Sequence, residues 1–189
     1  MRGAVAASAL PTIDGAWSWT GQRAAAADEP TASPSPTVVH GEWIAYGRDP
    51  GGMRHSPLSQ ITRDNVQELS VAWTYQTGEL ASYEGTSLAE SAAFEATPLM
   101  VDGTLYLSTP TNRVIALDAG TGAERWVFDP QIDLSHDYSE VTSRGVSTWV
   151  DSEKSPADAG YRRIYIGTLD GRLLSLDADS DQPSAWFGQ

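Results

Sequence analysis

"ALDAGTGAERW", Ala116–Trp126, sets a turn of Asp, Gly, Thr and Gly between an apolar run and a tryptophan, and a looser copy, "SLDADSDQPSAW", occupies Ser175–Trp186. The copies stay in register over a longer span. "LYLSTPTNRVIALDA" from Leu105 and "IYIGTLDGRLLSLDA" from Ile164 share Tyr, Thr, Arg, Leu, Asp and Ala at equal offsets, Tyr165 lying 59 positions after Tyr106. An internal repeat decides architecture before local propensity does, because each copy buries its apolar face only against a neighbour.

The turn signals cut the repeat into short strands. In "ATPLMVDGTLYLSTPTNRVIALDAGTGAERWVFD", Asp102-Gly103 suits a tight hairpin, "TPTNR" a second turn and "AGTG" a third, which predicts a four-stranded meander. After Arg144 the pattern returns as "GVSTWVD", "RRIYIGT", "GRLLSLDA" and "SAWFG", with a polar insertion, "SEKSPADAGY", in its first loop. Without that insertion the offset approaches the roughly 40 to 50 residues of a propeller blade. The fold class is therefore all-β, a β-propeller, and the runs between turns are too short and too β-branched for a helical solenoid.

The repeated phrase has a physical purpose. Asp118 can turn its carboxylate onto the amides of the following turn, Gly122 can supply a positive φ, and Trp126 is then aimed at a neighbouring blade. Burying an indole of about 200 Å² at roughly 25 cal/mol per Å² contributes at most about 5 kcal/mol. In the second copy Asp181 replaces the turn glycine, so that staple is expected to be weaker. Upstream, Asp64 is expected to cap a short helical turn with Val66 and Leu69 on one face, and "SVAWTYQT" alternates as a strand.

Composition narrows the function. Twelve basic against 25 acidic residues in a chain of 189 give a formal charge of −13, which opposes phosphate backbones and argues against a nucleic-acid partner. With no cysteine, neither a disulfide framework nor a thiolate ligand or nucleophile is available. His40, His55 and His136 share no metal-ligand spacing. "DPGG" and "GTG" are turns rather than phosphate cradles, for no strand, glycine loop and helix follow in that order. Residues 1–42 form a leader and linker: "MRGAVAASAL" is interrupted by Pro11 and Asp14 short of the ~18 apolar residues of a transmembrane segment. It reads either as an export signal, giving a periplasmic protein, or as a disordered leader. "AAAADEPTASPSPTV" reads as a flexible linker.

The most specific stretch is "WIAYGRDPGGMRHSPLSQITRDNVQELSVAWTYQTGE", where Trp43, Tyr46, Gly47, Ser56, Pro57, Leu58, Asn65, Val66, Leu69, Trp73 and Gly78 fall on one family motif. It resembles the opening of the quinoprotein dehydrogenases, eight-bladed β-propellers that hold pyrroloquinoline quinone (PQQ). "FEATPLMVDGTLYL", "VTSRGVSTW" and "GRLLSLDA" with "WFGQ" are most similar to the glucose and quinate dehydrogenase branch, the alcohol dehydrogenases coming second.

The resemblance implies that residues 43–189 are about the first two blades of such a propeller. It implies a dehydrogenase that oxidises a sugar or polyol, glucose-like, and passes electrons to a quinone acceptor. Its cofactors would be PQQ and calcium, with the calcium ligands and the catalytic base beyond residue 189 and this portion inactive alone. Glu95 in "FEATP" matches the glutamate that contacts the quinone, and Arg144 in "TSRGV" the arginine that reaches its carbonyl oxygens; a guanidinium offers fixed donors and permanent charge there. Glu140 stands where the branch has a histidine covering the quinone face, the alternative cysteine pair is absent, and His136 lies close by in sequence. A non-catalytic propeller scaffold and an inert truncated product are the competing readings.

Overall fold

The computed structural model describes residues 41–184 and Phe187; residues 1–40 of the leader and linker and Trp186 lie outside the described residues. In chain order the strands are β1 (Ala92–Phe94), β2 (Leu99–Val101), β3 (Thr104–Ser108), β4 (Val114–Asp118), β5 (Glu124–Phe128), β6 (Val141–Ser143), β7 (Ser147–Val150), β8 (Arg162–Gly167) and β9 (Leu173–Asp177). β2 to β5 make the expected four-stranded antiparallel meander, and β7 to β9 the first three strands of its repeat. Of "SAWFG", the described residues show only a return toward β9, with Ser184 N–H donating to Ser175 O at 2.7 Å. No helix among the described residues is long and apolar enough to cross a membrane.

The repeat is literal in its hydrogen bonds. In the β3–β4 turn, Thr109 N–H donates to Arg113 O and Asn112 N–H to Thr109 O; in the β8–β9 turn, Thr168 to Arg172 and Gly171 to Thr168 do the same, all at 2.9 Å. Asp102 (φ 47°) and Gly103 (φ 68°) close the β2–β3 hairpin with two left-handed residues, the geometry that matches strand twist.

The Asp118 turn is built as the sequence implies. Its Oδ1 accepts from Gly120 N (3.1 Å), Thr121 N (3.0 Å) and Thr121 Oγ1 (2.9 Å), and Gly122 adopts φ 73°. The Arg125 side chain first, and then Thr121, hold the Asp118 carboxyl down to about 2. In the copy, Asp177 Oδ1 accepts from Asp179 N at 3.0 Å and from Ser180 Oγ at 3.5 Å, and its Oδ2 from Gly160 N at 2.6 Å; the staple itself, Trp186, lies outside the described residues.

The two sheets stack face to face. Leu99, Val101, Tyr106, Val114, Ala116 and Trp126 of the first meet Ile164, Ile166, Leu176 and Ala178 of the second in one core. The indole of Trp126 and the hydroxyl of Tyr106 both donate to Ala178 O, each at 3.1 Å. Asn112 Oδ1 accepts from Leu169 N at 2.7 Å, and Arg162 pairs with Asp102 at 2.9 Å, so polar ties flank the apolar contact.

Two local expectations need correction. "SVAWTYQT" is not a strand: its burial alternates, with Trp73, Tyr75 and Thr77 half-buried, but its backbone has no ladder partner among the described residues. It is held by side chains instead. Trp73 and Tyr75 pack on Leu107, Ile115 and Leu117, the face of the first sheet away from the second. Trp73 Nε1 donates to Ala119 O at 3.3 Å, and Arg113 Nη1 to Thr77 O at 2.9 Å. The helical turn is a 3-10 turn, Val66–Glu68, preceded by Asn65 rather than capped by Asp64. Asn65 both accepts from Thr62 N (2.7 Å) and donates to Gln60 O (2.8 Å), a double role closed to a carboxylate. Val66 and Leu69 are exposed.

Candidate functional site

Glu95 and Arg144 come together because of a ribbon that no local pattern announces. β1 and β6 pair in parallel, Ala92 opposite Val141, Ala93 opposite Thr142 and Phe94 opposite Ser143. In a parallel pair the residues that follow emerge at the same end, so Glu95 and Arg144 lie side by side, with Arg144 Nη1 2.8 Å from Glu95 Oε2. The short helix α1 (Leu88–Ser91) leads into β1, and its Leu88 packs with Tyr83 and Val141 beneath the ribbon.

The backbone around the pair is tightly set. Thr97 N–H donates to Arg144 O at 3.2 Å, and Thr142 Oγ1 to Ala93 O at 3.0 Å. Gly145 has φ 127°, and a Cβ there would lie 2.8 Å from Thr97 O, so only glycine lets the two loops approach this closely. The Arg144 side chain is 77% exposed and that of Glu95 35%, so the ion pair itself contributes only about 0 to 1 kcal/mol. The contact is a single Nη1–Oε2 approach on an exposed guanidinium.

The neighbouring residues do not cover this pair with an aromatic ring. Glu140, directly before β6, is exposed. His136 is also exposed and pairs with Asp133, Nδ1 to Oδ2 at 3.1 Å, beside the Tyr138 ring. Among the described residues no group of three or more His, Cys, Asp or Glu side chains could hold a metal ion.

One buried acid escaped the sequence reading. Glu79, reached through Gly78 at φ 70°, is 5% exposed. Its Oε1 accepts from Thr111 N (2.8 Å), Thr111 Oγ1 (2.7 Å) and Tyr83 OH (3.2 Å), while Arg113 Nη1 stands 3.7 Å from Oε2. Burial, and then the Glu79 charge, push the Tyr83 hydroxyl up. Glu79 thereby fixes the β3–β4 turn, one residue beyond Ser108, whose hydroxyl meets that of Ser143 at 2.7 Å. The only sequence signal was a Gly-Glu step closing the alternating run.

The PQQ family of glucose/ethanol/alcohol dehydrogenases, in its beta-propeller domain, matches residues 43–189. The chain is 38% identical over 159 residues to the quinoprotein glucose dehydrogenase of Escherichia coli, covering 82% of this chain and 20% of that protein. It is 34% identical over 170 residues to quinoprotein glucose dehydrogenase A of Acinetobacter calcoaceticus, covering 84% and 21%. The crystal structure of a quinohemoprotein alcohol dehydrogenase from Comamonas testosteroni superposes with a TM-score of 0.59 at 35% identity, over 77% of this chain and 19% of that one. The chain thus spans about a fifth of the length of the relatives it matches.

Proposed function

This chain belongs to the PQQ glucose/ethanol/alcohol dehydrogenase β-propeller family, and from that premise we propose that it forms the part of a quinoprotein dehydrogenase that engages PQQ through Glu95 and Arg144. The observation that carries this reading is the 2.8 Å contact between two residues 49 positions apart, at the shared end of a parallel ribbon. The donor set fits the cofactor. The guanidinium of Arg144 meets Glu95 through Nη1 alone and, on a side chain 77% exposed, has further donors suited to the oxygens of a planar, anionic quinone.

When bound, PQQ supplies an ortho-quinone able to accept a hydride. Arg144 orients that quinone and offsets negative charge at its oxygens, while Glu95 anchors the guanidinium through Nη1. The exposed carboxylate of Glu140, where the glucose branch has histidine, leaves the covering of the quinone face to another group. The substrate is a sugar or polyol, glucose-like, with the proton-accepting base and the calcium ligands contributed by chain beyond residue 189 and the electrons passed to a quinone acceptor. Glucose dehydrogenases and a glycerol dehydrogenase are among the relatives that match over more than four-fifths of the chain, which supports a sugar or polyol; alcohol dehydrogenases match at comparable identity.

The test is a chimera in which residues 43–189 replace the matching fifth of the Escherichia coli relative. The chimera is expected to oxidise glucose only when given PQQ. Arg144→Lys, which keeps charge but loses the planar fork, is expected to lower turnover about 10- to 100-fold, the equivalent of one charge-assisted hydrogen bond, with little change in melting temperature. Equal turnover by parent and variant would remove Arg144 from the site.

A further inference from the structure

The Glu95–Arg144 pair is too exposed to hold itself in place, and the ribbon beneath it has only three residues in each strand. A two-stranded ribbon is marginal alone. Besides its own backbone bonds and the packing of Val141, a pair of buried hydroxyls ties it to the first sheet: Ser108, fully buried at the end of β3, and Ser143, 7% exposed at the end of β6, with their oxygens 2.7 Å apart. Ser143 Oγ also lies 3.5 Å from Gly145 N–H, so this one hydroxyl meets the residues on both sides of Arg144's place in the chain. On the other side of the contact, Ser108 precedes the turn that Glu79 clamps through Thr111, which makes it a rigid support rather than a mobile one.

We infer that Ser108 is a positioning residue for Arg144, acting through the Ser143 hydroxyl to place the guanidinium against Glu95. The inference deepens, and rests on, the assignment of that pair to the quinone. The buried hydroxyls are matched to each other, so removal of Ser108 Oγ leaves Ser143 Oγ with only the long 3.5 Å contact from Gly145 N–H and loosens the tie between the end of β6 and β3. An end that shifts by an ångström moves the guanidinium out of reach of Glu95, whereas the stacked sheets, joined through Trp126 and Tyr106, have no contact to lose.

The test uses the chimera that carries residues 43–189 in the Escherichia coli relative, labelled with [15N]arginine and [15N]tryptophan and prepared without PQQ. The Arg144 Nε–H signal is assigned by its loss in Arg144→Lys, and its displacement by Glu95→Gln reports the ion pair. In Ser108→Ala that displacement is expected to vanish while the Trp126 indole signal stays in place. Ser108→Thr, which keeps the hydroxyl, is expected to restore it, and the double variant Ser108→Ala/Ser143→Ala, with no orphaned hydroxyl, to lose it again. A displacement that survives Ser108→Ala overturns the inference. So does an Arg144 signal indifferent to Glu95 in the parent, and so does joint collapse of the Arg144 and Trp126 signals, which would make Ser108 a packing residue only. Because no cofactor enters the measurement, failure here leaves the PQQ assignment standing, and failure of PQQ binding leaves the role of Ser108 standing.

Discussion

Trp126 donates its indole hydrogen to the carbonyl oxygen of Ala178 at 3.1 Å, across the interface between two successive blades. Trp73 makes the same bond to Ala119, which holds the equivalent place one repeat earlier, at 3.3 Å. The tryptophan of one blade therefore reads the turn of the next, and Trp73 serves the first sheet as Trp126 serves the second. Trp126→Ala is expected to cost about 3 to 5 kcal/mol in urea unfolding, because the cavity opens in the middle of the stacked core. Trp126→Phe, which keeps most of the packing and loses the bond, is expected to cost less.

The Asp118 turn makes a backbone prediction. At Gly122, φ is 73° and an added Cβ would lie 2.5 Å from the Trp73 ring. Gly122→Ala is expected to destabilise by about 1 to 3 kcal/mol, since strain and displacement of Trp73 act together. Gly171, also at positive φ (82°) but with open space around it, isolates the strain component: Gly171→Ala is expected to cost less in the same unfolding assay.

Two phenols give a pH signature. Tyr75 is pushed up to about 12, by burial first and then by its bond to Glu124, and burial likewise raises Tyr106. A group whose folded pKa lies above its unfolded value of about 10 contributes stability that is complete below pH 10 and lost as pH rises toward 12. Absorbance at the tyrosinate band is expected to show these phenols ionising late and together with unfolding. Tyr75→Phe is expected to flatten the stability loss across that window.

Glu79 is expected to behave as a structural clamp. Glu79→Ala orphans the Thr111 amide and hydroxyl, and thermal denaturation is expected to show a loss of about 1 to 3 kcal/mol. Thr111→Val in the same background is expected to add little further, as the two residues share one network.

The blades were legible in the sequence because their determinants are local and repeated: the left-handed pair at Asp102-Gly103, the Asp118 carboxylate over its own turn, and the tryptophan eight residues after it. Glu95 and Arg144 were legible only through family resemblance. The parallel ribbon that joins them has strands too short to show alternation and a partner 49 residues away. Residues 70–77 carried the right period and the wrong conclusion, since alternating burial marks a surface to dock on, whereas a strand also needs a ladder partner. Glu79 was hidden for a related reason: an acid in a polar stretch reads as solvated until the fold brings Thr111 and Tyr83 to it.

The central claim, that Glu95 and Arg144 together hold PQQ, is tested most directly by equilibrium titration of PQQ into the folded chimera, followed by quenching of tryptophan fluorescence. Glu95→Gln and Arg144→Lys are each expected to weaken binding by about tenfold or more, and the double variant by less than the product of the two, because the residues act as one unit. Tight, unchanged PQQ binding by both single variants would contradict the claim.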